Sequence, residues 1–172
     1  MSVNSRFVKF KCEKKNDNLK FNNNNIVNVL FYSKTNLLLS KDFSKDKNLA
    51  TFLKTMIENN SANIFMVRSE KGMFLLIKRK DRLADLNHKY LEDLGGSIFH
   101  KTKSIGCSEI RIFENSLHIN KQIALGILLG SYKFANYKKN VSKDIIDIKN
   151  VTFICDEPKK HSQNIQEIRN IA

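Results

Sequence analysis

Residues 126–139 read GILLGSYKFANYKK, and two glycines, Gly126 and Gly130, stand four apart in the apolar part of this stretch. On a helix, glycines at this spacing lie on one stripe and let another backbone come close. Each also lowers helix stability by about 1 kcal/mol relative to alanine, which close packing against a neighbour has to offset. A strongly apolar helix is therefore predicted over residues 119–134. Three aromatic side chains are predicted to clamp its end: Tyr132, Phe134 and Tyr137.

Short apolar segments elsewhere in the chain carry the signals of strands. Residues 6–12 alternate polar and apolar side chains, which is typical of a strand with one buried face. Residues 26–32 form a near-continuous apolar run, as strands buried on both faces do. The residues RSEKG (68–72) are predicted to form a hairpin turn between two further strands. Strands are also predicted at residues 63–67, 73–77, 109–113 and 151–155.

Helical patterns occupy the segments between these strands. Residues 46–59 place apolar side chains on one side at helical spacing, and residues 81–103 do the same up to Gly95-Gly96, where a helix break is predicted. A last helix begins near residue 164, after a predicted hinge or linker at residues 156–163. The alternation of strands and helices predicts an α/β domain with a mixed β-sheet flanked by helices on both faces.

The composition favours a solvated basic surface. The net charge is +13, and most of it comes from lysine. A basic nucleic-acid-binding module is the alternative interpretation of this charge. No apolar run approaches the roughly 20 residues that span a bilayer, and the first residues lack a signal-peptide core. Because the cysteines are odd in number and far apart, free, buried or half-buried thiols in a reducing cytoplasm are predicted. They are Cys12, Cys107 and Cys155.

Motifs that carry chemistry are missing from the sequence. The four histidines occur without an HExxH motif or a Cys/His pair at ligand spacing, and there is no GxSxG. Gly95-Gly96 lacks the remainder of a GxGxxG loop. Residues 77–82, IKRKDR, are predicted to be a charged loop, and Glu92 and Asp93 are predicted to lie on a solvated helix face. The residues therefore predict no catalytic, cofactor-binding or metal-binding site.

The stretch at 126–139 closely resembles the end of the N-terminal domain of the leucyl aminopeptidase (cytosol aminopeptidase) family. That family commonly has a glycine-rich helix, then Ser-Tyr-Lys/Arg-Phe, two variable residues and Tyr-Lys. Residues 90–104 and 165–172 resemble the family's Leu-Gly-Gly helix and the start of its interdomain helix, so the resemblance covers roughly residue 50 to the end. Eight residues match the first motif in order and spacing: Gly126, Gly130, Ser131, Tyr132, Lys133, Phe134, Tyr137 and Lys138.

The resemblance implies a macro-domain-like α/β domain at residues 1–158, with residues 159–172 starting a linker helix toward a C-terminal catalytic domain. Family members remove N-terminal residues from peptides with two divalent metal ions, zinc or manganese, and assemble as hexamers. Their metal ligands and catalytic lysine and arginine belong to the C-terminal domain, which is expected beyond residue 172. The resemblance thus implies a cytoplasmic, noncatalytic domain that supports assembly and active-site access and has no catalytic, cofactor-binding or metal residue of its own. Binding of an ADP-ribose-like ligand is a further alternative, by analogy of fold alone.

Overall fold

In the computed structural model, the described residues form a six-stranded sheet with four helices, in which strands and helices alternate along most of the chain. The structure describes residues 8–16, 19–33, 46–80, 87–138 and 147–171. The strands are β1 (Lys9–Lys14), β2 (Ile26–Tyr32), β3 (Ile64–Ser69), β4 (Gly72–Lys78), β5 (Glu109–Phe113) and β6 (Asn150–Cys155). The helices are α1 (Lys47–Glu58), α2 (His88–Ser104), α3 (Leu117–Lys138) and α4 (Pro158–Ile171).

The sheet has the strand order β1-β6-β5-β2-β4-β3, and only the β3–β4 pair is antiparallel. The predicted hairpin is confirmed, but its turn is shorter than expected because Arg68 and Ser69 pair with Met73 and Gly72 in the ladder. Gly72 has a φ of +142°, and a Cβ there would overlap the Phe21 carbonyl group. A glycine is therefore required where the hairpin passes under residues 19–21.

Each face of the sheet buries its own core, because alternate side chains of a strand point to opposite faces. Val27 and Val29 of β2 belong to one core, whereas Leu30 and Tyr32 belong to the other. Helices α2, α3 and α4 cover the first face, and α1 covers the second. This arrangement confirms the predicted mixed sheet with helices on both faces. The largest fully buried side chains include Phe74, Phe153, Leu30, Leu53, Leu75 and Leu76.

The backbones of α2 and α3 come into contact where the two helices cross, and glycines make this contact possible. A Cβ on Gly126 would overlap the Glu92 carbonyl group, and a Cβ on Gly95 would overlap the Ile123 carbonyl oxygen. The predicted break at Gly95-Gly96 is wrong, because both residues lie inside the continuous helix α2. These glycines allow two backbones to touch, and that contact offsets their low helix propensity.

Two predictions about helix ends are also wrong. Helix α3 continues through Lys138, so the aromatic residues after Gly130 lie within the helix and do not end it. Tyr132 is half-buried against the core of the first face, while the side chains of Phe134 and Tyr137 lie outside the described residues. The hinge predicted at 156–163 is helical from Pro158, because proline is favoured in the first turn of a helix. The domain boundary at 158/159 stays a prediction.

Candidate functional site

The carboxyl ends of the parallel strands form the edge where α/β folds commonly bind ligands. At this edge a groove of about 520 Å³ lies between the end of β4 and the first half of α2. Its walls mix apolar, basic and hydroxyl side chains. The lining residues are Asn63, Ile64, Ile77, Lys78, Arg79, Lys80, Tyr90, Asp93, Leu94 and Ser97.

The basic cluster after β4 is tied into the fold. Arg79 lies 3.6 Å from the Glu114 carboxylate, whose side chain is only 7% exposed. The Lys80 ammonium sits 4.1 Å from the centre of the Tyr90 ring, within cation–π range. Lys78 belongs to β4 itself. The charged-loop prediction is therefore confirmed for Arg79 and Lys80, which follow β4, and wrong for Ile77 and Lys78, which belong to the strand; residues 81 and 82 lie outside the described residues.

Glycines are absent from this edge of the sheet. The six glycines of the chain occupy α2, α3, the start of β4 and the turn after α2. Backbone cradles for phosphate groups rely on glycines directly after a strand. No glycine of this kind follows a parallel strand at this edge of the sheet.

Glu114 organises the turn from β5 into α3. Its Oε1 accepts hydrogen bonds from the Asn115 and Ser116 backbone N–H groups, each at 3.1 Å. Ser116 Oγ in turn accepts from the Ile119 N–H at 3.3 Å, as an N-capping residue does. The Asn115 side chain accepts from the Asp156 N–H at 3.0 Å, which joins this turn to the end of β6.

Two buried polar side chains lie beneath this turn. They are Asn120 of α3 and His161 of α4. They are 0% and 2% exposed. Asn120 Nδ2 donates to the Glu114 carbonyl oxygen at 2.7 Å and lies 3.1 Å from His161 Nδ1. Burial lowers the pKa of His161, against the effect of nearby carboxylates. The sequence did not predict this pair, because its only local sign is a polar residue, Asn120, on the apolar face of α3.

A second polar pair, buried Asn28 and half-buried Arg111, lies on the opposite face of the sheet. Asn28 is fully buried within the apolar run of β2, where its Nδ2 donates to the Met73 carbonyl oxygen at 3.1 Å. Arg111 of β5 donates to Asn28 Oδ1 at 3.3 Å and to the Lys20 carbonyl oxygen at 2.9 Å. Burial lowers the pKa of Arg111, while Glu13 and Glu109 oppose that effect. These bonds fix residues 19–21 over the sheet.

No group of three His, Cys, Asp or Glu side chains that could hold a metal ion occurs within the described residues. His88 and His118 do meet, with ring centres 5.0 Å apart and ring planes at 85°. Both stand in the first turns of helices, where the helix dipole disfavours a cation. The residues that the structure describes therefore do not fit the two-metal centre of the resembled family.

The cysteines are free, as predicted. Cys107 and Cys155 are buried and Cys12 is half-buried. Burial raises the pKa of all three, that of Cys12 to about 12, with the nearby Cys155 adding to the effect on Cys12. Thiols of this kind are not poised as nucleophiles.

The basic surface is interspersed with carboxylates. Many of the described cations have acidic partners, among them the pairs Lys71–Asp46, Lys89–Asp93, Lys103–Asp147, Lys121–Glu167 and Lys160–Glu157. Of Glu92 and Asp93, predicted to be solvated, Asp93 is exposed and Glu92 is half-buried where its backbone meets Gly126. None of the helices in the described part of the chain has the length and hydropathy needed to cross a membrane.

Comparisons with known proteins show the fold. No protein-family model and no curated protein sequence matches this chain. Among solved structures, a mutant of tomato leucine aminopeptidase aligns with a TM-score of 0.66 and 12% identity, covering 99% of this chain and 37% of that one. A mutant Oceanobacillus iheyensis macrodomain aligns at 0.60 and 12% identity, over 99% and 95% of the two chains. Another mutant of that macrodomain, with ADPR, aligns at 0.59 and 10% identity, covering 99% of this chain and 96% of that one. The chain therefore has a macrodomain-like α/β fold that also occurs in leucine aminopeptidase, of whose length it spans about a third.

Proposed function

We propose that this chain is the noncatalytic N-terminal domain of a metal-dependent leucyl aminopeptidase, in which it supports hexamer assembly and shapes access to the active sites. Its partners are then its own C-terminal catalytic domain and further copies of the same protein. The two divalent metal ions belong to that catalytic domain. The observation that carries the proposal is the alignment of 99% of this chain with tomato leucine aminopeptidase.

The α2–α3 contact gives the proposal independent support. The motif at 126–139 that resembles the family includes Gly126, and the second resembling segment, 90–104, includes Gly95. In the folded chain these two glycines occupy one helix crossing, where each contacts the backbone of the opposite helix. The two segments of resemblance are thus one packing unit.

Binding of an ADP-ribose-like ligand is less well supported, although macrodomains share the fold. Such a ligand has phosphates, and the carboxyl edge of this sheet has no glycine after any parallel strand. Of the three cations beside the groove, Arg79 already contacts Glu114 and Lys80 already contacts the Tyr90 ring.

The purified chain is expected to release no product from aminoacyl substrates, with or without added zinc or manganese. The reason is that its described residues assemble no metal-ligand group. The measurement is a chromogenic aminopeptidase assay with tomato leucine aminopeptidase as the positive control. Metal-dependent turnover by the pure chain, retained through a second purification step, would contradict the proposal.

The mass of the native protein in its source cells tests the domain assignment. An immunoblot against this chain should show a band far larger than 19.9 kDa, the mass of these 172 residues. A band at that mass would overturn the proposal and favour a separate, basic binding protein. DNA titrations at two salt concentrations then decide that alternative, since phosphate contacts lose affinity steeply as salt rises.

A further inference from the structure

Helix α4 packs on the domain through apolar side chains, and a buried polar contact lies beside them. Its Ile165 and Ile168 are 4% and 2% exposed and belong to the core under α3. His161, one turn before Ile165, is just as deeply buried and faces Asn120. Buried polar groups of this kind are stable only when their hydrogen bonds are complementary.

The contacts of Asn120 determine where the proton of His161 resides. The Glu114 carbonyl oxygen can only accept, so the Asn120 amide must present Nδ2 to it at 2.7 Å. The same Nδ2 then donates its second hydrogen to His161 Nδ1, which has to be unprotonated. A neutral imidazole with an unprotonated Nδ1 carries its hydrogen on Nε2. Docked His161 is therefore the neutral Nε2–H tautomer.

Protonation of His161 breaks this arrangement whichever way Asn120 turns. With a proton on Nδ1, two donors would face each other across 3.1 Å. Rotating the amide would let Oδ1 accept from the ring, but Oδ1 would then face the Glu114 carbonyl oxygen. In the observed orientation Oδ1 is buried and has no hydrogen-bond partner among the described residues, so that orientation is held by the two contacts of Nδ2.

We propose that His161 and Asn120 form a proton-sensitive latch, which holds α4 on the domain while His161 is neutral and releases it when His161 is protonated. Release would expose the apolar side of α4 and the part of the sheet it covers on β1 and β6. This inference goes beyond the proposed function and stands independently of it.

Three carboxylates face the latch and moderate it. Glu157 lies on α4 itself, Glu114 at the end of β5 and Asp156 at the end of β6, and each favours the charged imidazole. Burial outweighs them, so the pKa of docked His161 falls below its ordinary 6.5. Released His161 takes its proton at the ordinary pKa. Docking is therefore at full strength above pH 6.5 and weakens as the pH falls from there toward the lowered pKa.

Hydrogen exchange of the full chain between pH 7.5 and 5 tests the latch. After correction for intrinsic exchange rates, the protection of the Ile165 and Ile168 amides should fall by up to ~10-fold per pH unit below about 6.5. Protection of the Leu53 amide, in α1 on the opposite face, should change much less. An equal loss at Leu53 would mean that the proton acts on the whole domain, which would overturn the latch.

Three variants separate the latch from general destabilisation. His161→Asn keeps an acceptor near Asn120 Nδ2 but cannot titrate, so the pH slope in α4 should vanish. Asn120→Ala should reduce the slope, because no donor then faces His161 Nδ1 when the ring is protonated. His100→Asn, at an exposed site in α2, should keep the original slope. The proposal is wrong if His161→Asn retains the slope of the unmodified chain, or if that chain shows none.

Discussion

Replacing Gly126 by alanine is expected to destabilise the domain by about 3 kcal/mol or more, a large fraction of the roughly 5–15 kcal/mol by which ordinary domains are stable. The new methyl group would overlap the carbonyl group of Glu92. That atom is part of the α2 backbone, so it cannot move aside as the end of a flexible side chain would. The two helices would have to separate along their whole contact. Urea unfolding followed by circular dichroism measures the loss.

Gly96→Ala is the matched control for this substitution. It lies in the neighbouring helix α2, but a Cβ there would have its nearest neighbour at 4.0 Å, the Gly126 carbonyl oxygen. Alanine should therefore fit and stabilise the helix by roughly 0.5–1 kcal/mol. If Gly126→Ala and Gly96→Ala changed stability by the same amount and sign, the close α2–α3 contact would be refuted.

Truncating Phe153 to alanine is expected to cost about 3–5 kcal/mol, the second-largest effect. Phe153 is fully buried in β6, which lies between β1 and β5, and stacks with Phe10 of β1 at a ring-centre distance of 6.3 Å. Its loss removes a large apolar surface and leaves a cavity between the sheet and α4, which rigid strands can fill only in part. Thermal unfolding should show a midpoint lower by roughly 6–20 °C.

Phe52→Ala removes the same side chain from the surface. Phe52 of α1 is 37% exposed, so its truncation should change the free energy of unfolding by only about 0.5 kcal/mol. A cost for Phe153→Ala no greater than that for Phe52→Ala would contradict the burial of Phe153 in the core.

The sequence predicted strands and helices correctly where a local pattern of apolar residues marked them. Strand β2 lies at residues 26–32, where a continuous apolar run predicted it. The helix predicted at 46–59 is α1, which begins after Asp46 accepts a hydrogen bond from the Leu49 N–H. Patterns of this kind are local, because the period of burial reflects the geometry of the element itself.

The errors arose where a contact between distant segments decided the outcome. Gly95-Gly96 has the composition of a helix break, and only the approach of α3 makes it the interior of a helix. Likewise, DEPKKHSQ (156–163) has linker composition, but His161 is buried against Asn120, a residue 41 positions away. The pairing of Asn28 with Arg111 spans 83 positions and left no trace in either local pattern.

The rate at which the three buried or half-buried thiols are modified can show which part of the domain opens. Burial raises the pKa of half-buried Cys12 to about 12 and keeps its thiolate scarce near neutral pH, so alkylating reagents should modify it faster when its surroundings open. Cys12 lies on β1 beneath α4, Cys155 at the end of β6, and Cys107 before β5, beside Met73. The order in which the three are labelled thus reveals which layer of the fold lifts first.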